Sequence, residues 1–235
     1  MTPYYSEDGI TIYHGDCLEV MPTISEAPSV LLADPPYAAA GSSTNGRSSE
    51  ADSQFFRFWM AAVFGQIRRV MPSNSAGFVF CDWRTLGDIA AAARTPGDRL
   101  NFGGTPWGVS QALVWDRESI GMGSPFRNSF EMIAFAKGPD WDQSFERNVP
   151  TVVRHRWPYN AKPNHGAEKP VDLLVKLIGW GGAGSVFDPF TGSGSALIAA
   201  QQLGRRAIGI EIEERYCEIA AKRLSRRVLP LQETA

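Results

Sequence analysis

Cysteine is scarce in this 235-residue chain, with three residues, Cys17, Cys81 and Cys217, lying far apart. That usage fits neither a disulfide framework nor a zinc site, and free buried thiols in a reducing cytoplasm are expected. Histidine is equally scarce: His14, His155 and His165 have no ligand spacing between them, so no metal is expected. No apolar run approaches the ~20 residues that span a bilayer. The N-terminal stretch "MTPYYSEDG" lacks the basic start and apolar centre of a secretory signal. A cytoplasmic protein with no membrane partner is the expectation. An excess of basic charge is missing too. Lys and Arg number 23 against 25 Asp and Glu, for a net charge of −2, which argues against wholesale coating of nucleic acid. The bases are unevenly placed, however: Arg147, Arg154, Arg156, Lys162 and Lys169 fall in one stretch that holds only Glu146 and Glu168 as acids.

With 43% apolar and 20% charged residues, the chain suits a single α/β domain over 1–235. Strand-like and helix-like segments alternate, the mark of a mainly parallel sheet covered by helices. "GITIYHGD" and "SVLLADPPY" read as strands, the second buried and ending at Asp34. From Gln54 to Met71, helical spacing puts Phe55, Trp59, Val63, Gln66, Ile67 and Val70 on one largely apolar stripe, which Pro72 stops. "AGFVFCDW", "SQALVWD" and "FEMIAFAKG" are further strands, with the small-residue helix "TLGDIAAAAR" after the first. "KPVDLLVKLIGW" suits a helix, and the last block reads strand, glycine loop, helix, strand, helix. Two stretches break the pattern. Residues 41–54, "GSSTNGRSSEADSQ", are polar and small and read as a mobile loop. Residues 138–164 carry aromatics and bases without periodicity.

Two motifs carry chemistry. In "VFDPFTGSGSALIAA", Gly192 and Gly194 let the backbone turn tightly between a strand and a helix whose start presents unpaired N–H groups. Glu211 ends the next strand, about 20 residues on, where a carboxylate suits a ribose. The third glycine of a dinucleotide loop is absent, and Asp188 would repel a pyrophosphate. A cationic adenosyl cofactor, S-adenosylmethionine, fits better than NAD. The second motif is Asp34-Pro35-Pro36-Tyr37, at the carboxyl end of a strand, where ligands of open α/β sheets bind. Each prolyl residue pushes its predecessor to extended conformations. The Asp34 carboxylate and the Pro35 carbonyl can then act as fixed acceptors for a planar amino group, and Tyr37 offers a face for a nucleobase, worth ~1–3 kcal/mol.

Together these residues resemble the amino-methyltransferases of DNA, of the β class, in which an Asp-Pro-Pro-Tyr motif precedes the Phe-x-Gly-x-Gly cofactor motif. "GDCLEVMPTI", "LVWDRESIGMGSPFRNSFEMIAFAKG" and "HGAEKPVDLL" extend the likeness over most of the chain. The resemblance implies a doubly wound, mostly parallel, seven-stranded sheet of the S-adenosylmethionine-dependent methyltransferase type, circularly permuted. It implies Asp34, Pro35, Pro36 and Tyr37 as the amine-holding residues. Around the cofactor it implies Asp16, Cys17, Asp34, Lys169, Asp188, Pro189, Phe190, Thr191, Gly192, Ser193, Gly194, Glu211 and Ile212. The expected reaction is methyl transfer to the exocyclic amine of a base flipped out of double-stranded DNA, adenine N6 ahead of cytosine N4. Arg47, Arg154, Arg156 and Trp157 are the candidate DNA contacts, the last three within the short insert 138–164 that stands where larger relatives read their site. The resemblance leaves room for a homodimer and for a restriction-endonuclease partner. Other readings stay open at this point: an RNA or protein-amide acceptor, a non-catalytic nucleic-acid-binding subunit, and a nicotinamide-dependent dehydrogenase.

Overall fold

Four apolar residues in a row, Val30–Ala33, form a strand in which every residue is buried. A run of that kind needs cover on both faces of a sheet. It has it: Val30 and Leu32 join one core, Leu31 and Ala33 the other. The computed structural model describes residues 1–36, 50–94, 107–121, 125–142, 148–157 and 168–226. In chain order the elements are β1 (Tyr5–Glu7), β2 (Ile10–His14), α1 (Cys17–Val20), β3 (Val30–Ala33), α2 (Glu50–Val70), β4 (Ala76–Cys81) and α3 (Leu86–Arg94). Then come β5 (Gly108–Asp116), β6 (Phe130–Lys137), β7 (Val152–Arg154), α4 (Val171–Gly181), β8 (Val186–Asp188), α5 (Ser195–Gln202), β9 (Ala207–Glu211) and α6 (Glu214–Leu224).

Among the described residues nine strands make one sheet in the order β1-β2-β9-β8-β3-β4-β6-β5-β7. The block from β2 to β4 is parallel, β6 runs against both β4 and β5, and β7 pairs in parallel with β5. Setting aside β1 and β7, three-residue strands at the two edges, leaves the expected seven. Leu173, Leu177, Leu197 and Cys217 from α4, α5 and α6 cover one face; Phe56, Met60, Phe64 and Ile89 from α2 and α3 cover the other. From β3 the chain proceeds through α2 to β4, its neighbour on one side. From β8 it proceeds through α5 to β9, on the opposite side. The connections therefore diverge between β3 and β8, where a doubly wound sheet opens a crevice at its carboxyl end.

Some details differ from the sequence reading. Helix α2 begins at Glu50, so residues 50–54 of the expected mobile loop are helical, while 41–49 lie outside the described residues. Its buried stripe runs through Phe56, Met60, Val63, Phe64, Ile67 and Val70. Phe55, expected on that stripe, is 73% exposed. The core-facing direction is set by what lies beneath the helix, and in its second turn that favours Phe56. The aperiodic insert 138–164 contains β7, an edge strand whose ladder with β5 supplies the order that its own three residues lack.

Candidate active site

The glycine loop follows β8 directly. Asp188 ends that strand, Phe190 N–H returns to its Oδ1 at 2.9 Å, and the Thr191 hydroxyl donates to its carbonyl at 3.1 Å. Gly194 caps α5 with φ +87°, and a Cβ there would stand 2.8 Å from the Ala220 Cβ, so only glycine serves. Glu211, at the end of β9, accepts Gly192 N–H on Oε2 at 2.7 Å and Glu213 N–H on Oε1 at 2.8 Å. The carboxylate expected to face a ribose thus also staples the loop. Each of its oxygens keeps a further lone pair for a ligand hydroxyl.

Asp188 is 5% exposed. Burial pushes its carboxyl up to about 8; the Phe190 N–H pulls the other way, and Asp34 and Glu211 add to the rise. A carboxylic acid held near neutrality in this manner is poised to ionise when a cation arrives.

Asp34 lies one residue beyond β3. Its carboxylate is 30% exposed, and Oδ2 accepts from the Lys169 ammonium at 2.7 Å. Lys169 is 7% exposed, lies 3.3 Å from Glu131 Oε2 on β6, and sits 5.1 Å over the Phe80 ring. Burial by itself would lower the Lys169 pKa; Asp34 and Glu131 outweigh it, so its pKa is raised and it carries charge here. The residue expected as a cofactor contact is bonded to the tetrapeptide's carboxylate.

One cavity of 530 Å3 joins both motifs, within the size range of small-molecule sites. Asp16, Cys17, Asp34, Pro35, Pro36, Lys169 and the whole run from Asp188 to Ser193 line it, with Glu211 and Ile212. Gly194 stands behind, against α6. Asp16 caps α1, accepting Leu18 N–H at 2.8 Å. Cys17 is an inert thiol: burial, with Asp16 beside it, pushes it up to about 12. Tyr37 lies outside the described residues, as does Arg47. Sequence reasoning missed several wall residues, among them Trp59, which lies 5.5 Å from the Phe190 ring, and Phe80, Glu168 and Tyr216. A helical stripe does not show where its cover ends, so the sequence places Trp59 on the apolar stripe alone.

A family model for DNA methylase, of the N6 and N4 type, fits residues 29–222, which include both motifs. The chain belongs to that family. Escherichia coli (strain K12) YubD is 30% identical to the methylase over 216 residues, 90% of this chain and 88% of that one. The structure of M1.HpyAVI in complex with SAM superposes with a TM-score of 0.69 at 21% identity, covering 92% of this chain and 98% of that one. The cytosine-N4-specific PvuII DNA methyltransferase superposes with a TM-score of 0.73 at 16% identity, covering 97% and 90%. At such identities the two structures share the fold.

The methylase's candidate DNA contacts divide by exposure. Arg154 and Arg156 are exposed, and Arg154 lies 3.9 Å from Asp116. Trp157 is half-buried, stacked on Trp115 at 5.6 Å. The chain there stays hydrogen-bonded to the sheet edge: His155 N–H donates to the Asp116 carbonyl and Trp157 N–H to that of Arg117, each at 3.0 Å. The two arginines face solvent, and the tryptophan packs on Trp115.

Proposed function

We propose that this DNA methylase transfers a methyl group from S-adenosylmethionine to the exocyclic N6 of an adenine turned out of double-stranded DNA. One observation carries the reading: Asp34 and the glycine loop, from neighbouring strands, open into one cavity. The residues fit the cofactor. Asp188 answers a sulfonium or ammonium charge, Gly192 allows a close approach, and Glu211 faces the place of a ribose. When bound, S-adenosylmethionine supplies a methyl group made electrophilic by its sulfonium.

The chain's own residues do the positioning. Asp34, held extended before Pro35, accepts one N–H of the target amine, and the Pro35 carbonyl accepts the other. Holding both hydrogens near the base plane frees the nitrogen lone pair from the ring and aims it at the methyl carbon. With the cofactor bound, the methyl group would pass to that nitrogen as its bond to sulfur gives way, sulfur keeping the electron pair, and the amine held by Asp34 and Pro35 would release one proton to solvent. Orientation of this kind contributes several kcal/mol to lowering the barrier. The base must leave the helix to reach the cavity, and Tyr37 is the residue we assign to stacking on it. Arg154 and Arg156 are assigned to phosphate.

Adenine is favoured because, in the family that the motifs resemble, an aspartate at the first position of the tetrapeptide goes more often with adenine. The experiment is methylation of DNA with labelled cofactor, then digestion to nucleosides and mass spectrometry. N6-methyladenine supports the proposal. N4-methylcytosine would move it to the other amine, and label in RNA or protein alone would overturn it.

A further inference from the structure

We propose that Lys169 is a positioning residue for Asp34 rather than a cofactor contact, and that the pair Glu168-Lys169 is a strut spanning the cofactor loop and the amine holder. The inference rests on the methyl-transfer reading above. Its basis is a division of labour between adjacent residues. Glu168 accepts from the Ser195 hydroxyl at 3.0 Å and pairs with Arg223. Arg223 in turn donates to the Ser193 carbonyl at 2.7 Å and to its hydroxyl at 2.9 Å. Glu168 is thereby tied to the glycine loop and α6. Lys169, the next residue, is tied to Asp34 Oδ2 at 2.7 Å.

A lysine is among the costliest side chains to bury, yet this one is 7% exposed, between Asp34 and Glu131. An ammonium on Oδ2 fixes the torsion of a carboxylate that a flexible Cα–Cβ bond would otherwise let turn. A carboxylate has about four lone-pair sites, so it can be oriented by lysine while it accepts from an amine. Glu131 completes the arrangement by steering the ammonium from the β6 side. In-line transfer tolerates little misplacement, with an error of about 1 Å costing on the order of 100-fold. A rigid link from the loop that holds the methyl donor to the residue that holds the acceptor is what such a reaction requires.

The test compares wild type, Lys169→Met, Lys169→Arg and Glu131→Gln. For each, cofactor affinity is measured by calorimetry, turnover at saturating cofactor and DNA, and thermal melting. Lys169→Met should lose about 100-fold in kcat while cofactor Kd stays within about 3-fold, and Lys169→Arg should recover a substantial part of kcat. Glu131→Gln should lose several-fold in kcat with Kd unchanged, which keeps the proposal testable if Lys169→Met fails to fold. A 10-fold or greater loss of cofactor affinity with kcat preserved would overturn it and return Lys169 to the cofactor. Equal losses in Met and Arg variants, tracking a fall in melting temperature, would also overturn it, as would Glu131→Gln indistinguishable from wild type. Wild-type protein that methylates no DNA would instead fell the proposed function, and this inference with it.

Discussion

Two neighbouring strands of this methylase run out into the same dipeptide, Asp-Pro, and the two aspartates have opposite surroundings. Asp188 is sealed at 5% exposure; its bonding is local, to the N–H of Phe190 two residues on. Asp34 is 30% exposed and bonded to Lys169, 135 residues away. Local sequence puts each carboxylate at the mouth of the crevice, since proline ends the ladder and extends the residue before it. What each can then do is decided by its partner. A buried carboxyl answered, among the described residues, by a backbone dipole suits a cation that arrives later. A half-exposed carboxylate clamped by a lysine suits a neutral donor such as an amine.

The contrast can be broken at either end, and the largest effect is expected at Asp34. Asp34→Ala should lower kcat by at least about 1,000-fold, on the scale of several kcal/mol lost from the transition state, with cofactor affinity within a few-fold. Retained turnover would remove Asp34 from the chemistry. Asp188→Asn should do the reverse, weakening cofactor binding by about 10-fold or more in calorimetry while leaving the fold intact.

Protonation sharpens the same comparison. Ionised Asp188 is the form that a cationic cofactor favours, so affinity should rise with pH up to about 8 and then level off. Calorimetry in buffers of different ionisation enthalpy should show proton release on binding below that pH, and Asp188→Asn should abolish it. The ligand-free protein should respond with the opposite sign. Between the ordinary carboxyl range and about 8, the folded protein keeps a proton at Asp188 that the unfolded chain has lost. That contribution to stability is full at low pH and declines as pH rises through this window. Asp188→Asn should therefore raise Tm at pH 8 by more than at pH 5.

Gly194→Ala should lower Tm by on the order of 5 °C, for about 1–3 kcal/mol of backbone strain at φ +87°. Smallest is the effect expected at the sheet edge. Arg154→Ala and Arg156→Ala should each cut the salt slope of DNA binding by about 1, whereas Trp157→Ala, which removes the stack on Trp115, should lower Tm and leave that slope unchanged.

Most strands and helices were legible because both faces of the sheet are covered, so β3 and β4 are continuous apolar runs, β8 and β9 are apolar up to a final carboxylate, and α2 and α4 have long stripes. The short pieces were not. β7 owes its order to pairing with β5, and α1, four residues long, shows only its capping Asp16. Within the cavity, the residues that share a motif were legible together. Lys169 was singled out, but its bond to Asp34 was hidden, since no local pattern reports a contact across 135 residues. Glu131 left one readable trace, an acid in the strand "FEMIAFAK", which is otherwise apolar up to its terminal Lys137.

The account turns on Asp34 holding the acceptor amine beside the methyl donor. A crystal structure of the methylase with a non-reactive cofactor analogue and substrate DNA tests this most directly. The predicted result is a flipped adenine whose amine lies about 3 Å from the Asp34 carboxylate, between that residue and the donor. A target base bound elsewhere, with Asp34 out of reach of its amine, would contradict it.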